Sequence, residues 1–256
     1  MTQTIAIFNQ SGGVGKTTLT FNLGYHLVVL KQRVLIIDMD PQASLTVFCG
    51  LYPDELEQTV YESIMDGDVE LPRHRIHGID LTPANINLAG AELELVADGM
   101  RDMRLKEAIG AIRDKYDFIL IDCPPSLGVL SSISLVAADS VLVPIQTEYK
   151  SLMGTSLLLN TIGRLKKRSN RQLKIAGFVP TLYTSGTIQH ERGLTGIREQ
   201  LGQLAPVFDP IPRRIDFPNS VEEHKPLALY NSKHTALPTL KKIAKYLVGE
   251  RVNAIA

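Results

Sequence analysis

The chain has 256 residues, 44% of them hydrophobic, which suits one large globular α/β domain with a buried core and excludes a disordered or fibrous chain. Its 27 basic and 27 acidic residues cancel, which excludes overall charge as a draw to nucleic acid or membrane, so such binding needs a local patch or dimerisation. Cys49 and Cys123 follow no ligand or disulfide spacing and fit a reduced, cytoplasmic setting; no basic-plus-apolar leader opens the chain, and no apolar run has membrane-span length.

Apolar, β-branched runs alternate with helical stretches along the chain. Strands are predicted at Thr4–Asn9, Arg33–Asp38, Asp117–Asp122, Ser140–Gln146 and Leu173–Pro180, with a shorter one over 206–211 and a further candidate at Ile79–Thr82. Helices are predicted over 16–31, 55–65, 91–114, 151–167, 188–202 and 236–249. The alternation implies an α/β fold: a doubly wound, mostly parallel sheet with helices on both faces, in a single domain over 1–256. Three residues precede the first strand, so no separate N-terminal DNA-reading domain is expected.

Residues 10–18 read Gln-Ser-Gly-Gly-Val-Gly-Lys-Thr-Thr, between the first strand and the first helix. This is a phosphate-binding loop in the context it requires. Glycines let the backbone of Ser11, Gly12, Gly13, Val14 and Gly15 curl its N–H groups onto phosphate oxygens, with Thr18 just inside the helix. Lys16 reaches the β- and γ-phosphates, and the Thr17 hydroxyl is placed to ligate Mg²⁺. The second strand ends Asp38-Met39-Asp40-Pro41-Gln42, two carboxylates at the crevice end of a sheet whose first loop binds phosphate. The run Phe118–Ile121 closes on Asp122-Cys123-Pro124-Pro125, a Walker-B form in which Asp122 holds Mg²⁺ through a water, and Gly128 behind it can respond to a γ-phosphate.

Together these segments resemble the deviant Walker-A ATPases of the ParA/MinD superfamily, from Thr4 to about Leu247. The family loop reads Lys-Gly-Gly-x-Gly-Lys-Thr; here Ser11 stands where the family has its signature lysine, which crosses a dimer interface to the partner's nucleotide. Asp38-x-Asp40-Pro41-Gln42, Asp122-x-Pro124-Pro125, Pro83-Ala84, Leu88-Ala89-Gly90-Ala91-Glu92 and Ile211-Pro212-Arg213 also match, while His224 replaces the glycine of a Gly-Lys-Pro signature at Lys225-Pro226. The resemblance implies ATP/ADP and Mg²⁺ as cofactors. Lys16 would be catalytic, Asp40 would position the attacking water and Asp38 would support the Mg²⁺ shell, the last two roles being exchangeable. Thr181, Pro212 and Arg213 would lie at the adenine. It further implies an ATP-sandwich homodimer that binds nucleoid DNA non-specifically and is stimulated by an adaptor of McdB or ParB type, with no membrane partner. Serine at the signature position resembles the carboxysome-positioning group, McdA; plasmid or chromosome partition is the alternative, and a MinD-like membrane-surface role is disfavoured.

The lost lysine leaves a vacancy that Lys150 is placed to fill, because the fourth long strand delivers it to the crevice; the alternative is an ordinary exposed lysine at a helix start. DNA contacts are expected from Lys233, Lys241, Lys242 and Lys245, ahead of the basic run Arg164–Lys174, which also reads as a solvated helix end. The stripe Leu237, Leu240, Ile243, Ala244 and Leu247 is expected to pack on the sheet rather than on a membrane. His74 and His77 have no flanking ligands and form no metal site.

Overall fold

The computed structural model describes residues 1–95 and 101–253, without the side chains of 149–153, 252 and 253. Seven strands form one sheet: β1 (Gln3–Ile7), β2 (Val34–Asp38), β3 (His74–Ile76), β4 (Ile79–Thr82), β5 (Phe118–Asp122), β6 (Ser140–Gln146) and β7 (Lys174–Thr181). Their order is β3-β4-β2-β5-β1-β6-β7; β3 is antiparallel to β4 and all other pairs are parallel. Central strands are buried along their whole length, the consequence of covering both faces.

Successive side chains of β1 feed the two sides. Ile5 and Ile7 join α1 (Lys16–Val29) and α11 (Leu237–Asn253) through Leu23, Leu27, Leu240 and Ile243. Ala6 and Phe8 join the other layer, built from α3 (Val60–Met65), α4 (Asn87–Glu94), α5 (Arg104–Gly110), α6 (Val129–Ala137), α7 (Tyr149–Arg168) and α8 (Ile188–Leu201). Short helices α2 (Ser44–Phe48), α9 (Asp216–Glu222) and α10 (Leu227–Tyr230) line loops at the crevice end. The architecture is the expected doubly wound sheet.

β3, α2, α9 and α10 were not expected, and three expected elements differ in extent or kind. The helix expected over 55–65 begins only at Val60, because Thr59 caps it: Thr59 N–H donates to Glu62 Oε2 at 2.6 Å and Tyr61 N–H donates to Thr59 Oγ1 at 3.2 Å. The helix expected over 91–114 is instead α4 and α5, with 96–100 outside the described residues. The strand expected over 206–211 is reduced to isolated parallel bridges, Phe178 to Val207 and Tyr183 to Pro212. Pro206, Pro210 and Pro212 have no N–H to donate, so no continuous ladder forms beside β7.

Gly193 of α8 lies against the backbone carbonyl of Thr147, where a methyl group would overlap it. Backbone cannot swing aside as a side chain does. Gly193→Ala is expected to destabilise by about 1–3 kcal/mol, seen as a lower urea midpoint at unchanged slope.

Candidate functional site

The loop between β1 and α1 is shaped by Gly13 and Gly15, whose φ values of 70° and 88° are left-handed. Three strand ends hold it. Asn9 Oδ1 accepts from Ser11 N–H at 2.9 Å while Asn9 Nδ2 donates to the Pro144 carbonyl at 2.7 Å. Gln146 Nε2 donates to the Gly13 carbonyl at 3.1 Å, and Thr181 Oγ1 donates to that of Val14 at 2.8 Å. Asn9 and Gln146 were not among the expected site residues; their place at the ends of β1 and β6 is the only sequence signal they carry. Ser11, Gly12 and Gly13 stay exposed at the mouth, and Val14 is buried beneath them.

Lys16 is 7% exposed, with Nζ donating to the Ser11 carbonyl at 3.0 Å. Burial holds its pKa below the ordinary lysine value, against the attraction of Asp122 and Asp40. The ammonium is thus desolvated and aimed along the loop, while α1 directs its N-terminus, with Thr17 and Thr18, at the same space.

Asp38 and Asp122 lie directly opposite each other on β2 and β5. Both are fully buried, and burial raises both carboxyl pKa values, that of Asp38 to about 6. Asp38 is already engaged: Oδ2 accepts from Thr46 N–H at 2.9 Å and Thr46 Oγ1 at 2.8 Å, and Oδ1 accepts from Asp40 N–H at 3.1 Å. Thr46 Oγ1 in turn accepts from Ala84 N–H at 2.9 Å, so Asp38 organises the loop after β2 and the Pro83-Ala84 segment. Asp122 is less satisfied. Its Oδ1 accepts from Thr20 Oγ1 at 3.3 Å, whereas Oδ2 is buried with no hydrogen-bond partner. The Thr17 hydroxyl beside it works against the upward push of burial on this carboxyl. An orphaned buried carboxylate oxygen beside a hydroxyl and a phosphate loop fits Mg²⁺. Among the described residues no three His, Cys, Asp or Glu converge on a metal position, so phosphate oxygens and waters must complete the shell. Asp40 is half-buried, with Oδ1 accepting from Gln42 N–H at 3.0 Å, and faces the crevice more openly than Asp38 does.

Beside the loop a cleft of 730 Å³ is lined by Gly13, Gly15, Thr18, Thr181, Pro212 and Arg213, with Ile211, Phe217 and Val221 making it mainly apolar. Its position and chemistry suit a planar base whose phosphates enter the loop.

Lys150 lies in the first turn of α7, at the crevice end of β6; its side chain is outside the described residues. Lys233, Lys241, Lys242 and Lys245 are all exposed, but Lys242 is neutralised by Asp209 at 2.8 Å. The Arg164–Lys174 run ends α7 on the opposite face of the sheet, so the two basic sets cannot form one patch within a subunit. The Leu237–Leu247 stripe is buried on α1, and among the described residues no helix is long and apolar enough to cross a membrane. His74 and His77 bring no metal ligands together; His77 Nε2 lies 2.8 Å from the His224 carbonyl.

A family model described as an AAA domain matches residues 2–175. The sporulation initiation inhibitor Soj of Bacillus subtilis is 40% identical over 248 residues, covering 96% of this chain and 98% of Soj. The chromosome partitioning protein ParA of Caulobacter vibrioides is 36% identical over 252 residues, covering 96% and 93%. A Mycobacterium smegmatis structure named cobyrinic acid a,c-diamide synthase, bound to ADP and magnesium, superposes with a TM-score of 0.85 at 36% identity, covering 97% and 94%. The ATP complex of a Cyanothece McdA point variant has the same TM-score, 0.85, at 26% identity, covering 98% and 96%. Agreement of this extent, reaching from the loop to the last helix, means that the chain belongs to the ParA/MinD family of P-loop ATPases.

Proposed function

We propose that the chain is a Mg²⁺-dependent ATPase of ParA type that dimerises around ATP, binds nucleoid DNA without sequence preference in that state, and positions a cargo in the cytoplasm until an adaptor stimulates hydrolysis. The observation that carries this reading is one continuous site: an apolar cleft opening onto the Gly12–Thr18 loop, with Asp40, Asp38 and Asp122 at its far side. Thr181, Pro212 and Arg213 would flank the adenine, and backbone N–H groups of the loop with Lys16 would hold the phosphates. Thr17, and Asp122 through a water, would hold Mg²⁺, which would supply neutralisation of the triphosphate's charge. Asp40 would orient the attacking water. Asp38, with its oxygens engaged, would act on the metal only through the loop it organises. Lys150 would supply the cation that Ser11 does not, reaching the partner's nucleotide from the crevice end of β6.

Two cargo readings have separate support. Ser11 supports carboxysomes, by its likeness to McdA. The higher identities to Soj and ParA support chromosome or plasmid DNA, with a ParB-type adaptor. Phosphate release measured with a McdB-type and a ParB-type adaptor separates them, since only the cognate one accelerates turnover. Because net charge is zero, DNA binding is expected to need ATP and to fall with salt by a log–log slope of about −0.9 per phosphate neutralised. Salt-insensitive retention, or equal binding without nucleotide, contradicts the DNA reading.

A further inference from the structure

One wall of the apolar cleft is α9, through Phe217, Val221 and Glu222, and another is α11, through Leu240. The segment 231–236 joins α10 to α11 and grips the first turn of α9. Asn231 Nδ2 donates to Asp216 Oδ1 at 3.1 Å, and the His234 ring stands edge-on to that of Phe217 with 5.5 Å between centroids. His234 is buried, and its Nδ1 accepts from Ala236 N–H at 3.1 Å, just ahead of α11. A neutral imidazole that accepts at Nδ1 carries its hydrogen on Nε2. That Nε2 is buried with no hydrogen-bond partner. Asp216 Oδ2 faces it at 3.7 Å, beyond hydrogen-bond reach. Native structures rarely strand a buried donor, and each case asks for a reason. Here a movement of α9 by about 1 Å completes the bond.

We propose that this movement accompanies nucleotide binding, and that His234 is a positioning residue that latches α9 against the base through Asp216. The inference rests on the proposed placement of the base in this cleft and adds the device that sets the cleft's width. Helices α9 and α11 border the cleft from two sides. Drawing Asp216 onto His234 brings α9 toward the start of α11 and narrows the space between Phe217 and Leu240. The cleft holds 730 Å³, a volume that suits a whole drug-sized ligand, so a planar base leaves it room to close. A base in that space gives the Phe217 ring a flat partner. The latch then adds a hydrogen bond to a carboxylate, of the stronger, charge-assisted kind. Asn231 holds the other carboxylate oxygen throughout, so α9 pivots without detaching. A contact made only in the closed position is what allows nucleotide to shift the balance between the two positions.

A double-mutant cycle tests this. His234→Ser keeps an oxygen for Ala236 N–H but cannot reach Asp216, and Asp216→Ala removes the acceptor. Asp216 is only half-buried, so its variant is expected to fold. Fluorescence titration with labelled ADP and Mg²⁺ reads affinity, and urea unfolding without nucleotide reads stability. Each single variant is expected to bind ADP about tenfold more weakly, and the double variant no more weakly than the weaker single. The unfolding midpoints without nucleotide are expected to show no such coupling, because the bond is not made there. Single variants that bind ADP as the parent does, or losses that multiply in the double variant, overturn the latch and leave the base's place in the cleft standing. Equal coupling in the unfolding midpoints means that the bond exists without nucleotide, and overturns the latch as well. If Phe217→Ala leaves ADP affinity unchanged, the base lies elsewhere, and its placement and this inference fail together.

Discussion

Lys16→Ala is expected to weaken ATP binding by roughly 10²–10³-fold, the counterpart of about 3–5 kcal/mol for removing one partner from a buried charge pair. The ammonium is buried at the loop, donates to the Ser11 carbonyl and is attracted by Asp122 and Asp40. Alanine leaves the triphosphate facing carboxylates at the ends of β2 and β5 with no compensating side chain from α1. The glycine-defined loop keeps its staples to Asn9, Gln146 and Thr181, so the fold is expected to survive. Fluorescence titration with a labelled nucleotide measures the change; an unaltered Kd would remove the phosphate assignment of the whole loop.

Asp40→Ala is expected to show the reverse split, binding ATP normally and losing turnover by about 10²–10³-fold, as befits a group whose contribution belongs to the transition state. Asp38→Ala should differ in kind. Its carboxylate accepts three hydrogen bonds, two from Thr46 and one from Asp40 N–H. Alanine would leave those buried donors unpaired, a cost of about 1–3 kcal/mol for each group stranded. The loop carrying Asp40 would lose its register as well. Single-turnover phosphate release combined with urea unfolding distinguishes the two variants. If Asp38→Ala keeps full stability and loses turnover while Asp40→Ala hydrolyses normally, their roles are exchanged.

The central strands and the loop were legible because their signals are local. Continuous apolar runs mark strands covered on both faces, and glycine spacing before Lys16 marks a turn that no other residue tolerates as well. What the sequence concealed depends on partners distant along the chain. Asp38 and Asp40 look interchangeable in the string; Thr46 separates them in space by saturating one. Lys242 reads as a free cation until Asp209 is found beside it. The start at Thr59 was open to reading, since Thr-x-x-Glu stands there, but the expected helix was begun too early; the division of α4 from α5 left no such signal. Asn9 and Gln146 carry no signature of their own, because bracing a backbone from below asks only for an amide at the right strand end.

The prolines beside β7 have a further consequence for how copies of the chain meet. A parallel sheet ends in two rows of unsatisfied backbone groups, and such rows recruit other strands indiscriminately. Here one border is β3, only three residues long and reversed in direction. The other is covered by the 206–212 segment, which meets β7 only at isolated bridges and carries Pro206, Pro210 and Pro212 in place of a regular strand. With one border short and reversed and the other interrupted by prolines, regular strand addition is disfavoured, which guards the chain against fibrous aggregation at the high local concentrations that clustering on a shared scaffold would create.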